Sequence, residues 1–215
     1  AANSNNNDGV SGIAPNCKIM PVKVGDKNGT LASSYVVDGF LYAINHGADV
    51  INMSLGLYVH PMIETLPEEA QMDIIDNSFK DEEVFWQQLF DIALDNNTVV
   101  VLAGGNQNVL IGIDPLDRSN YPIRVSATNK SGTKAAFSNW GAYSDVSAPG
   151  DNIYSAVGDS KYDFLSGTSM AAPIVTGAVA LIKSINKDLP ASDIKYILKT
   201  TGKYADRKST RLNSS

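Results

Sequence analysis

Ser169 stands in Gly167-Thr168-Ser169-Met170-Ala171-Ala172-Pro173, directly ahead of the apolar run Ile174-Val175-Thr176-Gly177-Ala178-Val179-Ala180-Leu181-Ile182. That places a hydroxyl at the start of a helix that reads as buried. N–H groups there lack partners and the macrodipole favours developing negative charge, which suits a nucleophile that attacks a carbonyl. Pro173 is expected in the first turn, where its missing N–H leaves nothing unpaired. Taken alone, Ser169 would read as a plain N-cap. Asn106 is the second candidate. It follows the apolar run Val99-Val100-Val101-Leu102-Ala103 and the turn Gly104-Gly105, at the carboxyl end of a strand, where catalytic groups of open α/β sheets gather. Taken alone, it would read as a left-handed turn residue.

The elements that must position these groups follow from the apolar pattern. Lys18–Val24, Val50–Ser54 and Thr98–Ala103 read as strands, with Ile123–Ala127 and Asp145–Ser147 as later ones. Helical spacing marks Ser33–His46, Val84–Leu94, Thr168–Ile185 and Ser192–Thr200, with Gly47 as a left-handed stop and Ser192 as a cap. Alternating strands and helices with continuous apolar strands imply an α/β fold, a parallel sheet covered on both faces.

Composition bounds the function. With 215 residues, 43% hydrophobic and 19% charged, the chain suits one globular domain. A net charge of −6 argues against nucleic-acid binding, and no apolar run is expected to span a membrane. Cys17 is the only cysteine, so no internal disulfide can form, and packing is its expected role. Ser4, Asn6 and Asp8 precede Gly9 in a faintly calcium-loop-like pattern, but Pro15 stands where a closing Glu belongs. No metal ligand is assigned.

The serine segment resembles the nucleophile motif of the subtilisin-like serine proteases, the subtilases. Further blocks match that family in order: Gly12-Ile13-Ala14-Pro15 with Lys18–Val24, Asp49-Val50-Ile51-Asn52-Met53-Ser54-Leu55-Gly56, and Val99–Asn106. Ala136-Phe137-Ser138-Asn139-Trp140-Gly141 and Ser147-Ala148-Pro149-Gly150 continue the likeness. The resemblance covers about residues 1–204. It implies a subtilisin-like three-layer fold, with a mostly parallel sheet between helices, lacking its N-terminal strands. It further implies an endopeptidase working through an acyl-enzyme on Ser169, with Asn106 as the oxyanion-hole side chain beside the Ser169 N–H. Gly29-Thr30-Leu31 and Ser54-Leu55-Gly56 would sandwich the substrate backbone, and Ala103-Gly104-Gly105 would wall the pocket for the residue before the scissile bond.

A serine needs a base and an orienting acid. The chain holds only His46 and His60, neither in the family's His-Gly-Thr-His context, and its Asp-Ser/Thr-Gly segment is absent. Both triad partners are therefore expected upstream of Ala1, in a domain of which residues 1–205 are one part. Asp206–Ser215 has no apolar periodicity and back-translates into a string like a common sequencing adapter, so natural sequence is expected to stop near Ala205. Structural calcium would belong to the full-length protein. The expected partner is a protein or peptide substrate, and the expected state a monomer, secreted or extracytoplasmic as in the family. Leu57–Leu89 departs from the family by length and is acidic, with Glu64, Glu68, Glu69, Asp73, Asp76, Asp81, Glu82 and Glu83 against Lys80. It reads as solvated surface that could overhang the cleft.

Rival readings are separable. The sedolisins share Gly-Thr-Ser but place Asp at the oxyanion position, where Asn106 stands here. An α/β-hydrolase would need Gly at Ala171. A non-catalytic peptide-binding pseudoprotease domain stays open, and the upstream sequence would decide it.

Overall fold

The computed structural model describes residues 4, 6–57, 59–158 and 161–203. Helix α1 (Ser33–Asn45) leads to strand β1 (Val50–Met53). A 3-10 turn (Pro61–Thr65) and helices α2 (Glu68–Asn77) and α3 (Lys80–Asp95) follow, then β2 (Val99–Ala103), β3 (Ile123–Thr128) and β4 (Val146–Pro149). A two-stranded antiparallel hairpin, β5 (Ile153–Val157) and β6 (Lys161–Leu165), precedes α4 (Thr168–Ile185) and α5 (Ala191–Thr201). The four strands β1-β2-β3-β4 lie in that order, all parallel.

Strand β2 explains the layering. All five of its residues are buried, and alternate side chains leave opposite faces. Val99, Val101 and Ala103 join Val125, Ala127, Ala172, Val175, Val179 and Ile194 beneath α4 and α5. Val100 and Leu102 join Phe40, Ile44, Leu89, Phe90 and Ala93 beneath α1 and α3. A strand buried on both faces must be apolar throughout, as its sequence is. Gly47, at φ +74, ends α1 in the left-handed region as expected.

Several expectations give way. Lys18–Val24 is not a strand among the described residues: the ladder needs a partner, and β1 offers its only described pairing to β2. Instead Val22 and Val24 press on Gly39 of α1, while Ile19 and Met20 stay exposed. Ser192 does not cap α5. Pro190 holds the N-cap with φ −60, and Ser192 is the second helical residue. Helix α4, at 18 residues, is long and apolar enough to cross a bilayer, contrary to the reading from composition. It packs against β1, β2, β3 and β4, which accounts for its apolar face.

The acidic segment after β1 is ordered structure rather than plain surface. Ile75 of α2 is buried with Val59, Val109, Leu110 and Ile113, and the Gln71 side-chain oxygen accepts the Leu110 N–H at 2.8 Å. Phe79, at φ +58, breaks α2 from α3, and Asp81, Glu82 and Glu83 in the first turn of α3 complement its dipole. Arg118 fastens this corner. Its side chain is 1% exposed and donates to Gly112 O at 2.7 Å, Ser78 O at 2.6 Å and Glu83 at 3.1 Å.

At β4, Asp145 is the buried electrostatic centre. Arg124 meets it through Nε at 2.8 Å and Nη2 at 3.2 Å, and Lys195 and Lys199 of α5 reach it at 3.0 and 3.2 Å. Burial alone would raise its pKa, but the Arg124 hydrogen bonds and the neighbouring cations hold it below the ordinary value. A carboxylate with a depressed folded pKa stabilises above its unfolded pKa of about 3.9 and loses that contribution as pH falls through the folded value. Asp145→Asn should therefore cost about 3 kcal/mol at pH 7, with the deficit shrinking below pH 4. Urea unfolding of both forms at pH 7 and pH 3 is the measurement, and a pH-independent deficit would contradict it.

Candidate active site

Helix α4 begins at Thr168 with Gly167 as N-cap and no side-chain cap. Ser169 is thus the second helical residue and half-buried, which removes the N-cap reading. Gly150 permits this start. A Cβ there would stand 2.6 Å from Ala127 Cβ and 2.8 Å from Gly167 O, so only glycine lets β4 end against the helix. The Gly167 N–H then donates to Gly150 O at 2.7 Å.

Pro173 falls in the second turn of α4, not the first as expected. Its missing N–H is the one that would have bonded four residues back, to the carbonyl of Ser169. That freed oxygen accepts the Ser54 hydroxyl at 3.1 Å. Asn52 donates to Ser54 Oγ at 2.9 Å, and Thr176 of α4 donates to the Asn52 side-chain oxygen at 2.9 Å. A chain of side chains at the end of β1 thus fixes the strand end to the peptide of Ser169.

Asn106 is exposed, and its backbone is not left-handed; Gly105, at φ +98, makes that part of the turn. Its side-chain oxygen accepts from Thr168 N at 2.8 Å and Thr168 Oγ1 at 2.9 Å, and Thr168 Oγ1 accepts the Gly105 N–H at 3.1 Å. With the oxygen committed, the Nδ2 donor is turned to the Gly167 side, 3.4 Å from where a Cβ of Gly167 would be. A helix-start N–H and a side-chain amide donor therefore lie on one side of the start of α4. Such a pair can stabilise an oxyanion.

Ser54-Leu55-Gly56 continues from β1, with Leu55 packed on the α1–α3 side and Gly56 close against Asp114, whose Oδ2 would stand 3.1 Å from an added Cβ. Ala103 and Gly104 end β2 against Val125. Ser54, Gly105, Asn106 and Ser169 are joined through the bonds above. Gly29-Thr30-Leu31 stands apart in a turn before α1, organised by Asp26, whose side chain accepts from Asn28 N and Thr30 N at 2.8 and 2.9 Å. No hydrogen bond among the described residues ties that turn to the others. His46 bonds Tyr42 O and stacks on the Tyr42 ring, and His60 caps the 3-10 turn through Met62 N, so both are engaged away from Ser169. Among the described residues no cluster of His, Cys, Asp or Glu could hold a metal. Ser4, Asn6, Asp8 and Gly9 form an exposed loop, with Asn6 accepting the Asp8 N–H.

Sequence reasoning passed over Thr168, Asn139 and the side-chain role of Ser54. A signal for Ser54 was present: a proline four residues after Ser169 guarantees an orphaned carbonyl there.

Fold and site together define an α/β protein with a serine at a helix start facing an amide donor. The sequence model of the subtilase family matches residues 1–214, and the chain belongs to that family. It is 36% identical over 184 residues to the thermophilic serine proteinase of Bacillus sp. (strain AK1), covering 86% of this chain and 40% of that protein. Thermitase of Thermoactinomyces vulgaris is 35% identical over 201 residues, covering 94% and 63%. The crystal structure of a cold adapted subtilisin-like serine proteinase superposes with a TM-score of 0.74 at 29% identity, covering 93% of this chain and 66% of that one. The chain thus spans between two fifths and two thirds of these relatives.

The shared carbonyl of Ser169 predicts a coupling. Ser54→Ala should cost about 1 kcal/mol with Pro173 present, and close to nothing in a Pro173→Ala background, where the helix can bond its own carbonyl. A double-mutant cycle by urea unfolding measures this, and additive losses would exclude the shared acceptor.

Proposed function

We propose that the chain is the nucleophile-bearing part of a serine endopeptidase that hydrolyses peptide bonds through an acyl-enzyme on Ser169. The observation that carries the reading is the committed oxygen of Asn106, which leaves its Nδ2 to act with the Ser169 N–H on the oxyanion. Ser169 Oγ attacks the scissile carbonyl, and a histidine oriented by an aspartate takes its proton. His46 and His60 serve local structure, so base and acid are supplied from outside these 215 residues. The substrate backbone lies as an added strand between Ser54-Leu55-Gly56 and Gly29-Thr30-Leu31, and Ala103-Gly104-Gly105 borders the pocket for the residue before the cut.

The 215-residue chain alone should therefore turn over no fluorogenic peptide above a Ser169→Ala blank. In the full-length protein, Asn106→Leu should lower kcat by roughly 10²–10³, the loss that follows removal of the oxyanion-hole asparagine in subtilisin. Turnover by the chain alone would bring a described histidine into the site and overturn the assignment. A full-length protein that binds peptide without cleaving it would favour a pseudoprotease.

The acidic face of α2 bears on substrate choice. Glu68, Glu69 and Asp73 are exposed on a segment whose inner side packs on Val109–Ile113, a few residues beyond Asn106. We infer a preference for basic residues in the substrate, acting through the field of this face. Peptide-library cleavage at about 0.01 M and 1 M salt, where the Debye length falls from about 30 to 3 Å, should show that preference fade. A flat profile would remove it.

A further inference from the structure

One charged group lies in the loop packing behind Asn106 and has no part in the reaction. Lys134 is half-buried, and its ammonium donates to Asn108 Oδ1 at 2.8 Å, Ser138 O at 2.9 Å, Ala135 O at 3.2 Å and Ala136 O at 3.4 Å. Three N–H donors face four oxygens, three of them backbone carbonyls. Carbonyls converging in this way replace the hydration shell of a monovalent cation. Here the cation is tethered.

The oxygens belong to two segments, one holding Asn108 and the other running from Ala135 to Ser138. Asn108 N donates to Phe137 O at 2.8 Å, and Asn139 N to Gly105 O at 3.0 Å. The Asn139 side-chain oxygen accepts from Gln107 N at 2.9 Å and Val109 N at 3.1 Å. Residues 105–109, Asn106 among them, are thereby zipped to 137–139. Asn106 itself is held by its oxygen on Thr168 and by its N–H on the Gln107 side chain at 3.0 Å. Asn108 adopts φ +53, so its side chain reaches Lys134 from a backbone that needs holding. Burial lowers the lysine's pKa while Glu64 of the inserted segment opposes the shift, so the insertion also bears on this cation.

We propose that Lys134 is a positioning residue for Asn106, its tethered ammonium clamping the Asn108 loop to the Ala135–Ser138 turn so that the Asn106 amide donor keeps its aim. The proposal rests on Asn106 as the oxyanion donor only where activity is the readout.

Two measurements test it. In the ¹⁵N-labelled 215-residue chain, the Asn106 side-chain amide signals, identified by their loss in Asn106→Leu, should move in Lys134→Met and return in Lys134→Arg. In the full-length protein, Lys134→Met should lower kcat roughly tenfold with KM within about twofold, and Lys134→Arg should regain most of the loss. Should Lys134→Met fail to fold, Asn108→Gly removes the side-chain oxygen while suiting the positive φ, and should give the same amide shift. Unmoved Asn106 signals in the folded variants, or a lowered melting temperature with kcat intact, would overturn the proposal. If Asn106→Leu itself leaves kcat unchanged, the oxyanion reading falls, and the amide signals alone judge Lys134.

Discussion

The side-chain oxygen of Asn106 accepts both the N–H and the hydroxyl of Thr168, and this pair of bonds locks the end of β2 to the start of α4. An amide has one acceptor oxygen and one donor nitrogen, so spending the oxygen inward dictates where the nitrogen points. Thr168 spends its own hydroxyl twice, donating to Asn106 and accepting from Gly105. The strand end and helix start are therefore one rigid unit. Ser169 takes its place from that unit, and the bonds along β1 and the 137–139 segment brace it from either side.

Two different forces hold this unit in register. Toward the helices the constraint is steric: β2 is buried on both faces, and Gly150 lets β4 pass within contact of α4. Toward β4 it is electrostatic, through an Asp145 that is 2% exposed and met by three cations. A buried carboxylate so paired adds little beyond an apolar substitute, but its partners would be costly to strand. It fixes α5 to the sheet rather than strengthening the core.

Much of this was legible in the sequence. The apolar run Val99–Ala103, the Gly47 stop and the limits of α4 all follow from period and capping, because local chemistry decides them. Ser169 and Asn106 stood out as candidates through their places at a helix start and after a strand. Lys18–Val24 misled for a physical reason: apolar composition permits a strand, but only a neighbouring ladder makes one. Pro173 misled because first-turn tolerance is the commoner situation. The second-turn placement leaves the Ser169 carbonyl without a helical donor, and Ser54, more than a hundred residues away, supplies one. Helix α2 was hidden by its charge, since its apolar side amounts to little beyond Ile74 and Ile75. Lys134 could not be singled out at all, because its oxygens come mainly from the backbone and carry no side-chain signature.

The segment between Gly56 and α3 is held from within by a few groups, chiefly Ile75, Gln71 and Arg118, all of them turned inward. Its outward face carries no packing duty among the described residues. Closing a longer or shorter loop over the same two ends changes the entropy only slowly with length. The chain can therefore exchange this segment's outer surface, in size and in sign of charge, while sheet and serine stay where they are. Variation in what the molecule meets is separated, along the chain itself, from constancy in what it does.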